Sequence, residues 1–173
     1  MSQTGEMTFW DHLEDLRTSI FRILTVFAVA VVALFFFKGF LFDSIILAPS
    51  KSDFFMYRLL SADFSMTLVN IEVAAQFLIH MKITFIMALI VTFPYIVFEI
   101  WRFILPALYE RERKVIRGAF AFASVLFYIG VVVGYSVVFP LMLNFFSGYQ
   151  VSPDIPNTFS LTSYISLFTS LVL

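Results

Sequence analysis

Three long apolar runs decide what this chain can fold into. From Ser19 to Phe37, from Ala75 to Phe98 and from Val115 to Phe139, the charged side chains are Arg22, Lys82 and Arg117, one to each run. A run of about 18 or more mainly apolar residues is long enough to cross a bilayer as a helix. Burial in a soluble core is no alternative. Of the 173 residues 61% are hydrophobic and 24 are Phe, more than a domain of this length can hide. The expected fold is an all-α polytopic membrane protein, with three complete transmembrane helices and the start of a fourth.

The connections follow from where the apolar pattern breaks. Residues 1–18 read as an amphipathic helix on the membrane surface, capped by Thr8 with Asp11 three positions on, and continuous with the first span at 19–38. Their acidic residues, with no small-residue cleavage site, argue against a cleaved signal peptide. Residues 39–74 are apolar pieces broken by Pro49, Lys51, Asp53 and Arg58, which suggests an external loop with short interfacial helices. The second span is expected at 75–98, kinked at Pro94, which lacks one helical amide. A charged loop follows at 99–114, a third span at 115–140 and a loop at 141–160. Residues 161–173 are apolar but short for a span, and the expectation is a fragment of a longer protein.

Orientation comes from the basic residues. Arg17, Arg22, Arg102, Arg111, Arg113, Lys114 and Arg117 flank one side, against Lys38, Lys51 and Arg58 on the other. Seven against three puts the N-terminus and the 99–114 loop in the cytoplasm.

Little in the chain points to bond chemistry. There are no cysteines, so disulfides and thiolate sites are excluded, and a net charge of −1 gives no sign of nucleic-acid binding. His12 and His80 lack companions at metal-ligand spacing, and no nucleotide loop or nucleophile elbow occurs. No enzyme activity, metal or cofactor is expected. Gly130 and Gly134 fit the small-xxx-small pattern of packed membrane helices. Lys82 and Glu99 lie near span ends, where snorkelling to the interface is the simpler reading. A relay through them in a small secondary transporter or ion channel is the alternative. A purely structural membrane scaffold is a third reading.

Charge concentrates in two places. Glu110 to Lys114 are five charged residues in succession, in a chain that is only 13% charged. Arg111 and Arg113 suit topology anchors, Glu110 pairs with Lys114 at i,i+4, and Glu112 is left as a carboxylate at the membrane surface. On the N-terminal helix Asp11 and Asp15 share a face, with Glu14 beside them. This like-charge pair suits a basic partner or a solvated face.

HLEDLR (12–17), EIWRFILPALYERER (99–113) and FYIGVVVGYSVVFPL (127–141), in this order and spacing, resemble TatC, the core subunit of the twin-arginine translocase. The resemblance runs from about Phe9 to the end of the chain. It implies a cup-shaped helical bundle in a bacterial inner membrane, with a cytoplasmic N-terminus. It implies TatA- and TatB-type partners, a homo-oligomer within the complex, and export of folded proteins driven by the proton motive force. It further implies capture of twin-arginine signal peptides through cytoplasmic carboxylates. Carried over by motif, these are Glu112 in LYERER and Asp15, where the family usually has Glu, with Glu14 as a weaker candidate. Phe103 and Lys114 fall in the recognition loop, Pro49 matches a sensitive proline of the first external loop, and Pro94 and Pro106 are expected in structure or assembly. The family's fourth-helix glutamate and fifth and sixth helices have no counterpart in these residues.

Overall fold

The computed structural model describes residues 9–60, 66–150, 152 and 157–172; Thr8 and its cap lie outside them, as do the side chains of Asp11, Glu110 and Arg111. Helix α1 (Phe9–Phe36) is unbroken, so the amphipathic start and the first span are one rod. It packs lengthwise on α3 (Ala75–Ile104), and most of its other surface is apolar and exposed, as at Phe21, Val29 and Val32. That is the surface of a helix solvated by lipid. Helices α4 (Glu110–Val133) and α5 (Phe139–Gly148) form a third rod, joined by a π-helical turn at Gly134–Val138. Among the described residues, three helices are long and apolar enough to cross a membrane. The chain is a multi-pass membrane protein.

Proline does not end the third rod at residue 140. Pro140 lies in the first turn of α5, directly after the π turn, where a missing amide is tolerated, so helix continues to Gly148. Within α3, Pro94 leaves the Ile90 carbonyl without its usual helical donor. The Tyr128 hydroxyl of α4 supplies one, at 2.9 Å.

The segment between the first two spans is part of the core. It carries a π-helix (Phe40–Ile46), a 3₁₀ turn (Ala48–Ser50), α2 (Phe55–Leu60) and strand β1 (Leu68–Val69). Leu41, Ile46, Phe54, Met56 and Tyr57 are buried with Phe139, Leu143 and one face of α6 (Leu161–Val172). The segment thus carries short helices, and several of its apolar residues pack into the core. Lys51, Asp53 and Arg58 point outward, while Phe54, Met56 and Tyr57 between them pack inward and Phe55 is exposed. The last carbonyls of the π-helix have no helical partner. Tyr135 donates to Ile45 O at 2.8 Å and Tyr164 to Ile46 O at 2.7 Å. Pro49 is buried beside them, and its carbonyl accepts the Tyr57 hydroxyl at 2.7 Å.

Helix α6 is the hub of this end. Strand β2 (Phe159–Ser160) pairs in parallel with β1, Leu68 opposite Phe159, and Ser160 Oγ caps α6 by accepting the Ser163 amide at 3.1 Å. Phe168 and Tyr164 then pack edge-on against Phe139, each at 5.2 Å between ring centroids. At Gly134 the α6 backbone comes so close that an added Cβ would lie 2.7 Å from Leu171 O. At Gly130 an added Cβ meets nothing within 4 Å. Only the second glycine of the small-xxx-small pair makes a helix contact.

Candidate functional site

At the opposite end, α1, α3 and α4 come together around a cleft. Because α1 is continuous, Asp15, Thr18, Ser19 and Arg22 recur at i, i+3, i+4 and i+7 and form one stripe. The facing wall is the end of α3. Leu105 is still helical, and at Pro106, which has no amide to donate, the chain tightens into a 3₁₀ turn (Leu105–Ala107) before turning extended at Leu108. Arg102, Phe103, Leu105 and Pro106 thereby line the cleft, with Arg113 from the first turn of α4. The cavity holds about 440 Å³. His12 closes one edge, its ring stacked on Phe103 at 4.4 Å.

Glu112 sits in the first turn of α4, where its carboxylate caps the helix. Its Oε2 accepts the Tyr109 amide at 3.3 Å, and the Tyr109 carbonyl accepts the Glu112 amide at 2.9 Å. The side chain is exposed and is not part of the cleft wall. Arg113 is tied back at the same turn, its Nε donating to Leu108 O at 3.3 Å. The fold thus brings Asp15, Phe103 and Pro106 into one cleft. Glu14 and Lys114 are exposed and outside its lining, and Pro49 and Pro94 lie elsewhere.

Glu99 overturns its sequence expectation. A residue free to snorkel would be exposed, yet Glu99 is 2% exposed. Helix α3 runs five residues past it, and its carboxylate faces Arg22 of α1. Tyr95 donates to Oε1 at 3.0 Å. Arg22 Nη1 lies 3.8 Å from Oε2 and Arg102 Nη1 lies 4.0 Å from Oε1. An isolated carboxylate would be costly there, and two half-exposed arginines offset that cost. Lys82 is exposed and 17 residues away on the same helix, about 25 Å, so the two form no relay. Sequence reasoning missed Thr18, Ser19, Arg22, Arg102, Leu105 and Arg113 as cleft residues. The i, i+3, i+4, i+7 spacing starting at Asp15 was the available signal for the first three.

Comparison with known proteins converges on one family. Residues 11–173 match the family of the Sec-independent protein translocase protein TatC. The chain is 33% identical over 187 residues to TatC of Blattabacterium sp. subsp. Periplaneta americana, covering 99% of this chain and 70% of that protein. It is 32% identical to TatC of Halothiobacillus neapolitanus, covering 99% of this chain and 44% of the relative. Over 110 residues it is 39% identical to Escherichia coli K12 TatC, covering 61% and 40% of the two chains. The chain therefore spans less than half the length of those last two relatives. Among solved structures it is similar to the crystal structure of the twin arginine translocase receptor TatC in the detergent DDM. The TM-score is 0.72 at 26% identity, covering 93% of this chain and 68% of that one.

Proposed function

Since this chain belongs to the TatC family of Sec-independent protein translocase proteins, we propose that it captures twin-arginine signal peptides in the cleft at the ends of α1, α3 and α4. In this reading the peptide's paired guanidiniums meet Asp15 in the cleft and Glu112 at its outer edge. Phe103 gives the apolar wall beside them, and Lys114 and Glu14 set the charge of the rim. Arginine suits the task because its planar fork matches a carboxylate in two parallel hydrogen bonds, whereas lysine offers a single point charge. The observation that carries the reading is Asp15 on the wall of the cleft, facing Phe103 and Pro106.

The cleft end is the cytoplasmic one in this reading, because the seven basic residues on that side outweigh the three on the other. The membrane is then a bacterial inner membrane. TatA- and TatB-type subunits and further copies of the chain are the partners, and the proton motive force drives export of the folded cargo.

The test is titration of the purified chain in detergent with a photo-crosslinking signal peptide carrying Arg-Arg or Lys-Lys. A charge-assisted pair worth about 1.5–3 kcal/mol corresponds to roughly a tenfold to hundredfold preference for Arg-Arg. Asp15→Asn and Glu112→Gln should each remove most of it. Equal crosslinking of the two peptides, or full retention in both variants, would defeat the reading.

A further inference from the structure

The cleft presents a contradiction in charge. Three resident arginines, Arg22, Arg102 and Arg113, line it, against one acidic side chain, Asp15. A cationic peptide entering such a site would meet repulsion unless those guanidiniums are already engaged. Their partners lie behind the wall. Arg113 is held by the Leu108 carbonyl, and Arg22 and Arg102 both turn to the buried carboxylate of Glu99. Arg22 stands two helical turns after Asp15 on the same stripe of α1. Side chains on a helix lean toward its N-terminus, so an Arg22 with no other partner is directed at Asp15.

We infer that Glu99 is the positioning residue of this cleft: by holding Arg22 and Arg102 from behind, it keeps Asp15 open to an incoming guanidinium. The inference rests on the proposed capture of twin-arginine peptides and adds to it a group that never touches the peptide. Glu99 acts through charge. Tyr95 fixes its Oε1 by a hydrogen bond that an amide oxygen would also accept, so the shape of the site does not depend on ionisation.

Charge and shape can be separated by substitution, with affinity for synthetic Arg-Arg and Lys-Lys signal peptides measured on the full chain in detergent. Glu99→Gln keeps the shape and loses the charge, and it should weaken Arg-Arg binding at least tenfold while leaving weak Lys-Lys binding nearly unchanged. Glu99→Asp keeps the charge at the expense of shape, and it should retain the preference to within about threefold. The double variant R22Q/E99Q removes the released arginine together with its partner, and it should recover most of the binding lost in E99Q. A merely structural Glu99 predicts the reverse order for Gln and Asp, and no recovery in the double variant; either result would overturn the inference. Wild-type binding of Arg-Arg and Lys-Lys with equal affinity would instead sink the capture reading itself, and this inference with it. Wild-type preference together with an unaffected E99Q sinks this inference alone.

Discussion

Removing one hydroxyl tests how α3 accommodates a proline in its middle. In an uninterrupted helix the amide of residue 94 would donate to the Ile90 carbonyl, but Pro94 has no amide, and the Tyr128 hydroxyl donates across the α3–α4 contact instead. Tyr128→Phe keeps the ring, which packs edge-on against Phe127 at 5.6 Å, and deletes only the donor. An orphaned buried carbonyl costs about 1–3 kcal/mol in proteins generally. Interhelical hydrogen bonds measured in a membrane bundle average about 0.6 kcal/mol, with a maximum near 1.7. The Tyr128–Ile90 bond is part-buried, so a loss of about 1 kcal/mol is expected. Pro94→Ala returns the helical amide to the same carbonyl and makes the hydroxyl redundant. In that background Tyr128→Phe should cost no more than a few tenths of a kcal/mol, a coupling of roughly 0.5–1 kcal/mol. Reversible unfolding of the four proteins in mixed micelles gives the cycle directly. An equal cost of Tyr128→Phe with and without the proline would refute the compensation, whatever the size of the single effects.

Two further outcomes follow from the opposite end of the bundle. Gly134→Ala puts a Cβ 2.7 Å from Leu171 O and 3.2 Å from Val172 Cα, both backbone atoms, so α6 must shift at a cost of about 1–3 kcal/mol. Gly130→Ala meets nothing and should be neutral or better, so thermal melts in detergent that rank the two alike would contradict the packing. Burial pushes the Tyr57 phenol above its usual value of 10.0. The folded state favours the neutral phenol, so its stabilisation is complete below about pH 10 and is lost as pH rises further. The melting temperature of wild type should fall more steeply between pH 9 and 11 than that of Tyr57→Phe, as followed by circular dichroism.

The features most legible in the sequence were those that depend on residue type over a window. Apolar runs of span length fixed the class of fold because the bilayer admits few alternatives. What the runs could not reveal was where polar interruptions stop mattering. The apolar pattern puts the exit of the third span near residue 140, yet Pro140 falls in the first turn of α5, directly after the π turn, where a missing amide is tolerated, and helix continues to Gly148. Residues 39–74 read as an external loop with short interfacial helices because Pro49 and charged residues break up the apolar pieces, yet several of those pieces are buried. Their burial depends on Tyr135 and Tyr164, which approach the Ile45 and Ile46 carbonyls from 90 and 118 residues away. The Arg22–Glu99 pair is of the same kind. Glu99 has Arg102 at i+3, but nothing in the sequence points from Glu99 to Arg22, and the α1–α3 contact creates that pairing.

Glu112 shows how far a motif and a geometry can inform each other. As the N3 residue of α4 it caps the helix through Oε2, and by itself that is a complete structural reason for an acid at this position. Capping and arginine capture are nonetheless compatible, because a carboxylate has two oxygens and about four acceptor directions, of which the Tyr109 amide occupies one. The cap also fixes the side chain's direction, so little rotamer freedom remains to be lost when a guanidinium arrives. The two roles separate by chemistry. An amide oxygen at residue 112 can still accept from Tyr109, so Glu112→Gln should leave the start of α4 intact while it lowers arginine affinity. Glu112→Ala removes both functions. A Gln variant that melts like Ala would mean that the charge at residue 112 serves the helix; one that melts like wild type but binds weakly would assign it to capture.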